Sequence, residues 1–221
     1  VEQAVTLDIN NLDEIAPTIT SGDTAVAIDE NSGADQVVYS ATATDDADIS
    51  DGVSFSLADE SLGFSIDADT GEVTTNADFS ADFEDAQSQS FTVVATDEAG
   101  NASEQLVTIA VNNLDEVAPT ITSGATAVAI DENSGANQVI YTAIADDSDD
   151  ISDGFTFSLA EGSDAALSIN AETGAVTLST NPDYETQSQY NFAVIATDAA
   201  LNSSDAQSVT IDINNLDEVA P

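Results

Sequence analysis

The sequence predicts an all-β protein made of two tandem Greek-key β-sandwich modules of about seven strands each. Three observations carry this expectation. The first is a recurring segment. Asn10-Asn11-Leu12-Asp13-Glu14-Ile15-Ala16-Pro17 returns at Asn112 to Pro119 and at Asn214 to Pro221, so the prolines lie 119 − 17 = 102 and 221 − 119 = 102 residues apart. That period is the size of an independent domain rather than of a solenoid unit. The second is the spacing of apolar residues, which alternate in Val37, Tyr39, Ala41 and Ala43, in Phe55 and Leu57, in Phe91, Val93 and Ala95, and in Leu106, Thr108 and Ala110. A period of two is the mark of a half-buried strand. The third is punctuation by Gly, Asp, Asn and Ser about every 8–12 residues, the rhythm of a sandwich.

The repeats set the organisation. Residues 1–16 read as the C-terminal end of a preceding repeat plus its linker, 17–118 as a first full repeat, and 119–221 as a second with the linker that follows. An excerpt from a longer chain is expected. Ala27-Ile28-Asp29-Glu30-Asn31-Ser32-Gly33-Ala34 returns at Ala129 to Ala136, while Ala95-Thr96-Asp97 returns as Ala196-Thr197-Asp198, 196 − 95 = 101 residues later, so small indels compensate within each repeat. Tyr141, Phe155, Phe157 and Phe192, then Val209, Ile211 and Ile213, carry the strand pattern into the second module. Tyr39 and Tyr141 hold equivalent strand positions and read as core. With aromatics at 5%, the rest of the core must be Val, Ile, Leu, Ala and a few Phe. Phe79 and Phe83 fall in a loop that the second module does not share and read as exposed.

Charge narrows the chemistry. The chain has 43 Asp and Glu, no Lys, no Arg and no His, for a formal charge of -43. Such a chain is ordinarily disordered, but its 42% hydrophobic content is patterned. No carboxylate can form a salt bridge, so each must stay hydrated, accept a backbone N–H, or bind a metal ion. Two carboxylates about 4 Å apart repel by roughly 1 kcal/mol in water and several-fold more near a protein surface. Clusters therefore call for a hard cation with oxygen ligands. Nucleic acid and direct binding to anionic membranes are excluded as partners, because no basic residue exists to meet phosphate. Without His or Cys there is no Ser-His-Asp or Cys-His machinery and no ordinary zinc site, and an enzyme is not expected. The absence of Cys also removes a disulfide framework, which fits a large secreted bacterial surface protein better than a small stapled domain.

Five signatures occur in order in both modules. They are Asp29-Glu30-Asn31 and Asp131-Glu132-Asn133; the Asp-rich turns Asp45-Asp46-Ala47-Asp48 and Asp147-Ser148-Asp149-Asp150; Phe64-Ser65-Ile66-Asp67 with Thr70-Gly71-Glu72-Val73, and Leu167-Ser168-Ile169-Asn170 with Thr173-Gly174-Ala175-Val176; Asp82-Phe83-Glu84 and Asp183-Tyr184-Glu185; and Val93-Val94-Ala95-Thr96-Asp97 and Ala193-Val194-Ile195-Ala196-Thr197-Asp198. In these the chain resembles the cadherin ectodomain repeat, a cadherin/Ig-like sandwich, in the version found in giant secreted (RTX-type) bacterial surface adhesins. The linker Asn-Leu-Asp-Glu-(Ile/Val)-Ala-Pro aligns on the family's Asp-x-Asn-Asp-Asn-x-Pro. It departs from that pattern with Asn for the first Asp, Glu for the second, and an apolar residue before the Ala-Pro.

The resemblance implies Ca²⁺ as cofactor, several ions at each junction between modules. At the one complete junction it implies as ligands Glu30, Asp82, Glu84, Asn113, Asp115 and Glu116, then Asp147, Asp149, Asp150 and Asp198. The preceding junction keeps Asn11, Asp13, Glu14, Asp45, Asp46, Asp48 and Asp97. The following one keeps Glu132, Asp183, Glu185, Asn215, Asp217 and Glu218. The implied partners are calcium and neighbouring repeats of the same chain. The implied function is a calcium-rigidified extender at the bacterial cell surface, serving adhesion and biofilm; the alternative is a binding module, homophilic or for polysaccharide. Sugar platforms present exposed aromatics, and a chain with no Trp and four Tyr favours the spacer. Acids outside the motifs, such as Asp59, Glu60, Asp85, Glu161 and Asp164, read as solvation charge. A carboxylate pair for glycoside hydrolysis at Asp82/Glu84 or Asp183/Glu185 lacks any mark of a substrate cleft. Asn101-Ala102-Ser103 and Asn202-Ser203-Ser204 match the glycosylation pattern and read as coincidence.

Overall fold

Among the described residues of the first half, Val, Ile, Phe and Thr runs form nine strands that trace a seven-stranded sandwich, because two of the seven strands are interrupted. A computed structural model describes residues 2–47, 49, 52–152 and 154–218. It separates into two units, Val1–Leu114 and Asp115–Pro221.

In the first unit the strands are β1 (Thr18–Ile19), β2 (Ile28–Asp29), β3 (Val37–Ser40), β4 (Ala43–Thr44), β5 (Val53–Leu57), β6 (Phe64–Ile66), β7 (Glu72–Thr75), β8 (Ser88–Asp97) and β9 (Ala102–Asn112). One sheet has the order β2-β9-β8-β5 and the other β3-β7-β6, with β1 and β4 paired separately. The first strand of the sandwich therefore changes partners. Its start, β1, runs antiparallel to β4, while its end, β2, lies parallel to β9 with Ile28 opposite Val111. The second strand breaks at Ala41-Thr42, where the hairpin between β6 and β7 presses in. Gly71 of that hairpin has φ +70, and a Cβ there would lie 2.4 Å from the Ala41 carbonyl oxygen, so only glycine fits.

The core between the sheets is built on Phe64, Val73, Phe91, Val93, Ala95, Val107 and Ile109, with the Phe64 and Phe91 rings 4.7 Å apart. Three sequence expectations need correction. On β9 the buried residues are Val107, Ile109 and Val111, and Leu106 is 58% exposed. Every residue from Leu106 to Val111 is apolar or Thr, so spacing alone cannot choose the face. The pairing chooses it, since Phe91 stands opposite Val107 and cross-strand partners share a side. On β3 a bulge between Val37 and Tyr39 admits an extra residue. Val37 faces out while Val38 and Tyr39 are both buried. Phe79 packs on Phe64 at 5.2 Å, admitted by Gly63, where a Cβ would lie 2.6 Å from the Phe79 Cα. Phe83 is also half-buried rather than exposed.

The second unit repeats the design with β10 (Thr120–Ile121), β11 (Ile130–Asp131), β12 (Gln138–Thr142), β13 (Ala145–Asp146), β14 (Phe155–Leu159), β15 (Leu167–Ile169), β16 (Ala175–Leu178), β17 (Gln189–Asp198) and β18 (Gln207–Asn214). Its sheets are β11-β18-β17-β14 and β12-β16-β15. Val209, Ile211 and Ile213 point into the core, as their alternation predicts. Tyr39 is buried and Tyr141 half-buried, and each hydroxyl donates to a loop carbonyl, Gly22 or Gly124.

Candidate metal centres

The long strand β8 separates two acidic ends in the first unit. Asp97 is its last residue, and Asp82 and Glu84 lie in the turn before its first, Ser88. Ten residues at about 3.3 Å each put these ends roughly 30 Å apart.

At the Asp97 end, carboxylate oxygens of Asp13, Asp45 and Asp97 all lie within 4.8 Å of one another. Asp45 follows β4, and Asp13 comes from the segment ahead of β1. Asp45 and Asp97 are buried. Asp13 Oδ1 accepts from the Ile15 N–H at 3.1 Å, while its Oδ2 is buried without a hydrogen-bond partner. The turn after β8 folds back onto Asp97: the Asn101 N–H donates to Oδ1 and the Asn101 carboxamide to Oδ2, each at 2.8 Å. Burial alone would raise the pKa of Asp97. The donors from the Asn101 side chain and from the Asn101, Gly100 and Ala99 backbone outweigh it and hold the carboxyl below its ordinary range.

The opposite end is organised by Glu30, placed just after β2 and 1% exposed. Its Oε1 accepts from the Leu114 N–H at 2.6 Å and its Oε2 from the Phe83 N–H at 2.7 Å. One carboxylate thus ties the start of the linker to the turn carrying Asp82 and Glu84. Carboxylate oxygens of Glu30, Asp82 and Glu84 again lie within 4.8 Å of one another.

In the second unit, Glu132 makes the same two bonds, from Leu216 at 2.6 Å and Tyr184 at 3.0 Å. Those two N–H donors, Leu216 first, hold its carboxyl below the ordinary range against burial and the charge of Asp183. Here the trio within 4.8 Å is Glu132, Glu185 and Glu218. Asn215 donates to Glu185 and Asn133 to Glu218. Asp183 is exposed and caps its own turn through the Thr186 N–H at 2.9 Å. At the other end of this unit Asp147 and Asp198 are buried. The Oδ2 atoms of Asp115, Asp147, Asp150 and Asp198 are all shielded from solvent, and that of Asp198 has no hydrogen-bond partner.

Of the remaining sequence candidates, Asn11, Glu14, Asp46, Glu116, Asp149 and Asp217 are exposed and stand in none of these trios, and Asn113 is half-buried. Asp48 lies outside the described residues. Sequence reading missed Asn101 and Asn202, seen there only as glycosylation matches. The signal was present, since each follows its strand-end Asp by four residues (101 − 97 and 202 − 198). The donor set suits one kind of ion. Carboxylate, carboxamide and backbone oxygens, with no nitrogen or sulfur ligand in the chain, fit a hard divalent cation that takes six to eight oxygens at about 2.3–2.6 Å. Buried carboxylate oxygens such as Asp13 Oδ2 and Asp198 Oδ2 leave room for such a ligand bond.

The fold is that of tandem cadherin-like β-sandwich domains. Residues 113–214 match the Cadherin domain family. Among curated proteins, the chain is 29% identical over 222 residues to "Cadherin EGF LAG seven-pass G-type receptor fmi-1" of Caenorhabditis elegans, covering 96% of this chain and 8% of that protein. It is 28% identical over 166 residues to "Protocadherin-like wing polarity protein stan" of Drosophila melanogaster, covering 72% and 5%. The chain thus spans a small fraction of the curated relatives it matches. Among solved structures, it resembles human Protocadherin-24 EC1-2 with a TM-score of 0.64 at 16% identity, covering 92% of this chain and 99% of that one. It resembles Drosophila N-cadherin EC1-4 with a TM-score of 0.61 at 22% identity, covering 91% and 50%.

Proposed function

We propose that this chain is a calcium-dependent extender, a stretch of extracellular adhesion modules stiffened by Ca²⁺ held at module ends. One observation carries the reading. Carboxylates with buried oxygens converge at both ends of a module in a chain that has no cationic side chain to neutralise them. In the first unit Asp13, Asp45 and Asp97 hold calcium at one end, and Glu30, Asp82 and Glu84 at the other, with Asn113 of the linker beside them. Glu132, Glu185 and Glu218 repeat the second arrangement, with Asp183, Asn215 and Asp217 beside them. In the second unit Asp115, Asp147, Asp149, Asp150 and Asp198 repeat the first, with Glu116 of the linker beside them. The ion's role is electrostatic and mechanical: it cancels carboxylate repulsion and fixes linker residues to the modules. The parent protein is a surface adhesin whose terminal ligand-binding part is held out by repeats of this kind. The uniform repeats and the absence of Cys, Met and Trp favour a bacterial, RTX-type adhesin acting in adhesion and biofilm.

Small-angle scattering of the chain in millimolar calcium and in chelator tests the proposal. The expected result is a longer maximum dimension and a narrower distribution of shapes in calcium. Identical profiles would remove calcium as the stiffening agent. Dimerisation or tight polysaccharide binding by the calcium-loaded chain would replace the spacer with a homophilic or sugar-binding module.

A further inference from the structure

Asn101 is half-buried in the turn after β8. Its carboxamide nitrogen donates to two oxygens at once, Asp97 Oδ2 at 2.8 Å and the backbone carbonyl of Asp13 at 3.1 Å. Its backbone N–H adds a third bond, to Asp97 Oδ1 at 2.8 Å. Two acceptors on one nitrogen fix which end of the amide is the donor. The second unit repeats the motif independently. The Asn202 N–H donates to Asp198 Oδ1, and its carboxamide donates to the Asp115 carbonyl, both at 2.8 Å. Each Asn therefore couples a buried strand-end Asp to the backbone of a linker Asp. Asp13 and Asp97 are two of the three members of one acidic trio, and Asp198 carries a buried oxygen with no hydrogen-bond partner.

We propose that Asn101 and Asn202 are positioning residues for the cation sites. Each would act as a neutral clamp that holds a linker Asp and a strand-end Asp in register for one ion without itself ligating it. This rests on the calcium reading above. A chain without Lys, Arg or His has no charged donor for the task, and a carboxamide N–H organises carboxylates without competing with the ion. Partners of this kind, one step behind the ligands, typically change metal affinity ten- to a hundredfold when removed.

The sign of an isosteric substitution separates clamping from ligation. Asn202→Asp keeps the shape, cannot donate, and adds a carboxylate. If residue 202 ligated the ion, this change would tighten binding; if it clamps, binding weakens as it does in Asn202→Ala. The experiment is calorimetric titration of the full chain with calcium chloride, wild type against both variants, with thermal unfolding of each in chelator. The expected result is a tenfold to hundredfold loss at one binding step in both variants, larger than any loss of stability in chelator accounts for. Asn202→Asp binding at least as tightly as wild type would overturn the assignment, as would Asn202→Ala binding equally well. A matching loss of fold in chelator would reduce the residue to a structural role and overturn it too. Should Asn202→Ala fail to fold, Asn101→Ala puts the same question to the other unit. Wild type that binds no calcium would overturn the calcium reading itself, a result distinct from wild type and variants binding alike.

Discussion

Glu30→Gln keeps the shape of the side chain and removes one negative charge from the end of the first unit. The carboxylate accepts two backbone bonds, from Leu114 and Phe83, and a hydrogen bond to a charged group contributes about 1.5–3 kcal/mol. Gln can keep one of them on its amide oxygen. Its amide nitrogen then meets the other N–H donor to donor, a loss of roughly 2–4 kcal/mol. Against this stands repulsion from Asp82 and Glu84, whose oxygens lie within 4.8 Å. At that distance each pair repels by about 0.9 kcal/mol in water and about 3.5 kcal/mol at an effective dielectric near 20. Two pairs give roughly 2–7 kcal/mol of relief, comparable to the loss. Without calcium the substitution should therefore cost no more than about 2 kcal/mol, or stabilise the unit. With calcium bound as proposed, the ion would already cancel the repulsion and the substitution would remove a ligand. A hundredfold weaker site adds about 2.7 kcal/mol of loss at saturation, for a total of roughly 4–7 kcal/mol. Denaturant unfolding of wild type and variant in chelator and in millimolar calcium reads both values. An equal loss in the two buffers would refute the reasoning and make Glu30 a structural tie alone.

Three further outcomes are expected. Asp67 accepts from the Thr70 N–H, the Thr70 hydroxyl and the Asp69 N–H, which hold its carboxyl below the ordinary range; a lowered folded pKa means stability complete above about pH 4 and lost as pH falls below it. In Asp67→Asn, unfolding curves should match wild type at pH 7, because Asn170 holds the equivalent turn through the same two backbone N–H bonds, and should lose less stability than wild type at pH 3; equal acid sensitivity would contradict this. Gly71→Ala forces a Cβ against the Ala41 carbonyl at positive φ, and should destabilise the first unit by about 2–3 kcal/mol in denaturant titrations, with a loss under about 1 kcal/mol counting against the close approach. Magnesium at equal concentration should raise the melting temperature far less than calcium, because its small octahedral shell suits multi-carboxylate cages poorly; equal shifts in calorimetry would indicate general charge screening.

The architecture was legible because it is written twice. The 102-residue period and the alternation in Phe91-Val93-Ala95 and in Val209-Ile211-Ile213 lead to two sandwiches whose cores use those residues. Reading failed where local spacing is degenerate. Leu106 to Val111 is apolar or Thr at both parities, so only the pairing of Val107 with Phe91 reveals the face. The bulge at Val37 has no sequence mark, since neither Gly nor Pro signals it. Phe79 required knowing that Gly63, sixteen residues earlier (79 − 63), leaves space for it. The acidic ends divide in the same way. Glu30, Asp82 and Glu84 were legible as motif members, but that Glu30 spends both oxygens on backbone donors depends on the chain returning to it at Phe83 and Leu114. No spacing rule encodes that return.

The same bonds explain how so acidic a chain holds its ends together before any ion arrives. Glu30 and Glu132 are fully enclosed, and an enclosed carboxylate is tolerable only with donors on its oxygens. Both take those donors from backbone N–H groups of the linker and of the turn beside it. At the opposite end of the first unit the donors are the carboxamide and N–H of Asn101, which leave Asp97 doubly bonded while Asp13 Oδ2 is left with no donor. Backbone and carboxamide donors thus fix the positions of these carboxylates but do not saturate them. A Lys or Arg in either place would satisfy the same oxygens and close the end to metal. On the proposed reading, the complete absence of cationic side chains leaves these acidic ends to an external cation, and the stiffness of the chain would follow the calcium concentration around it.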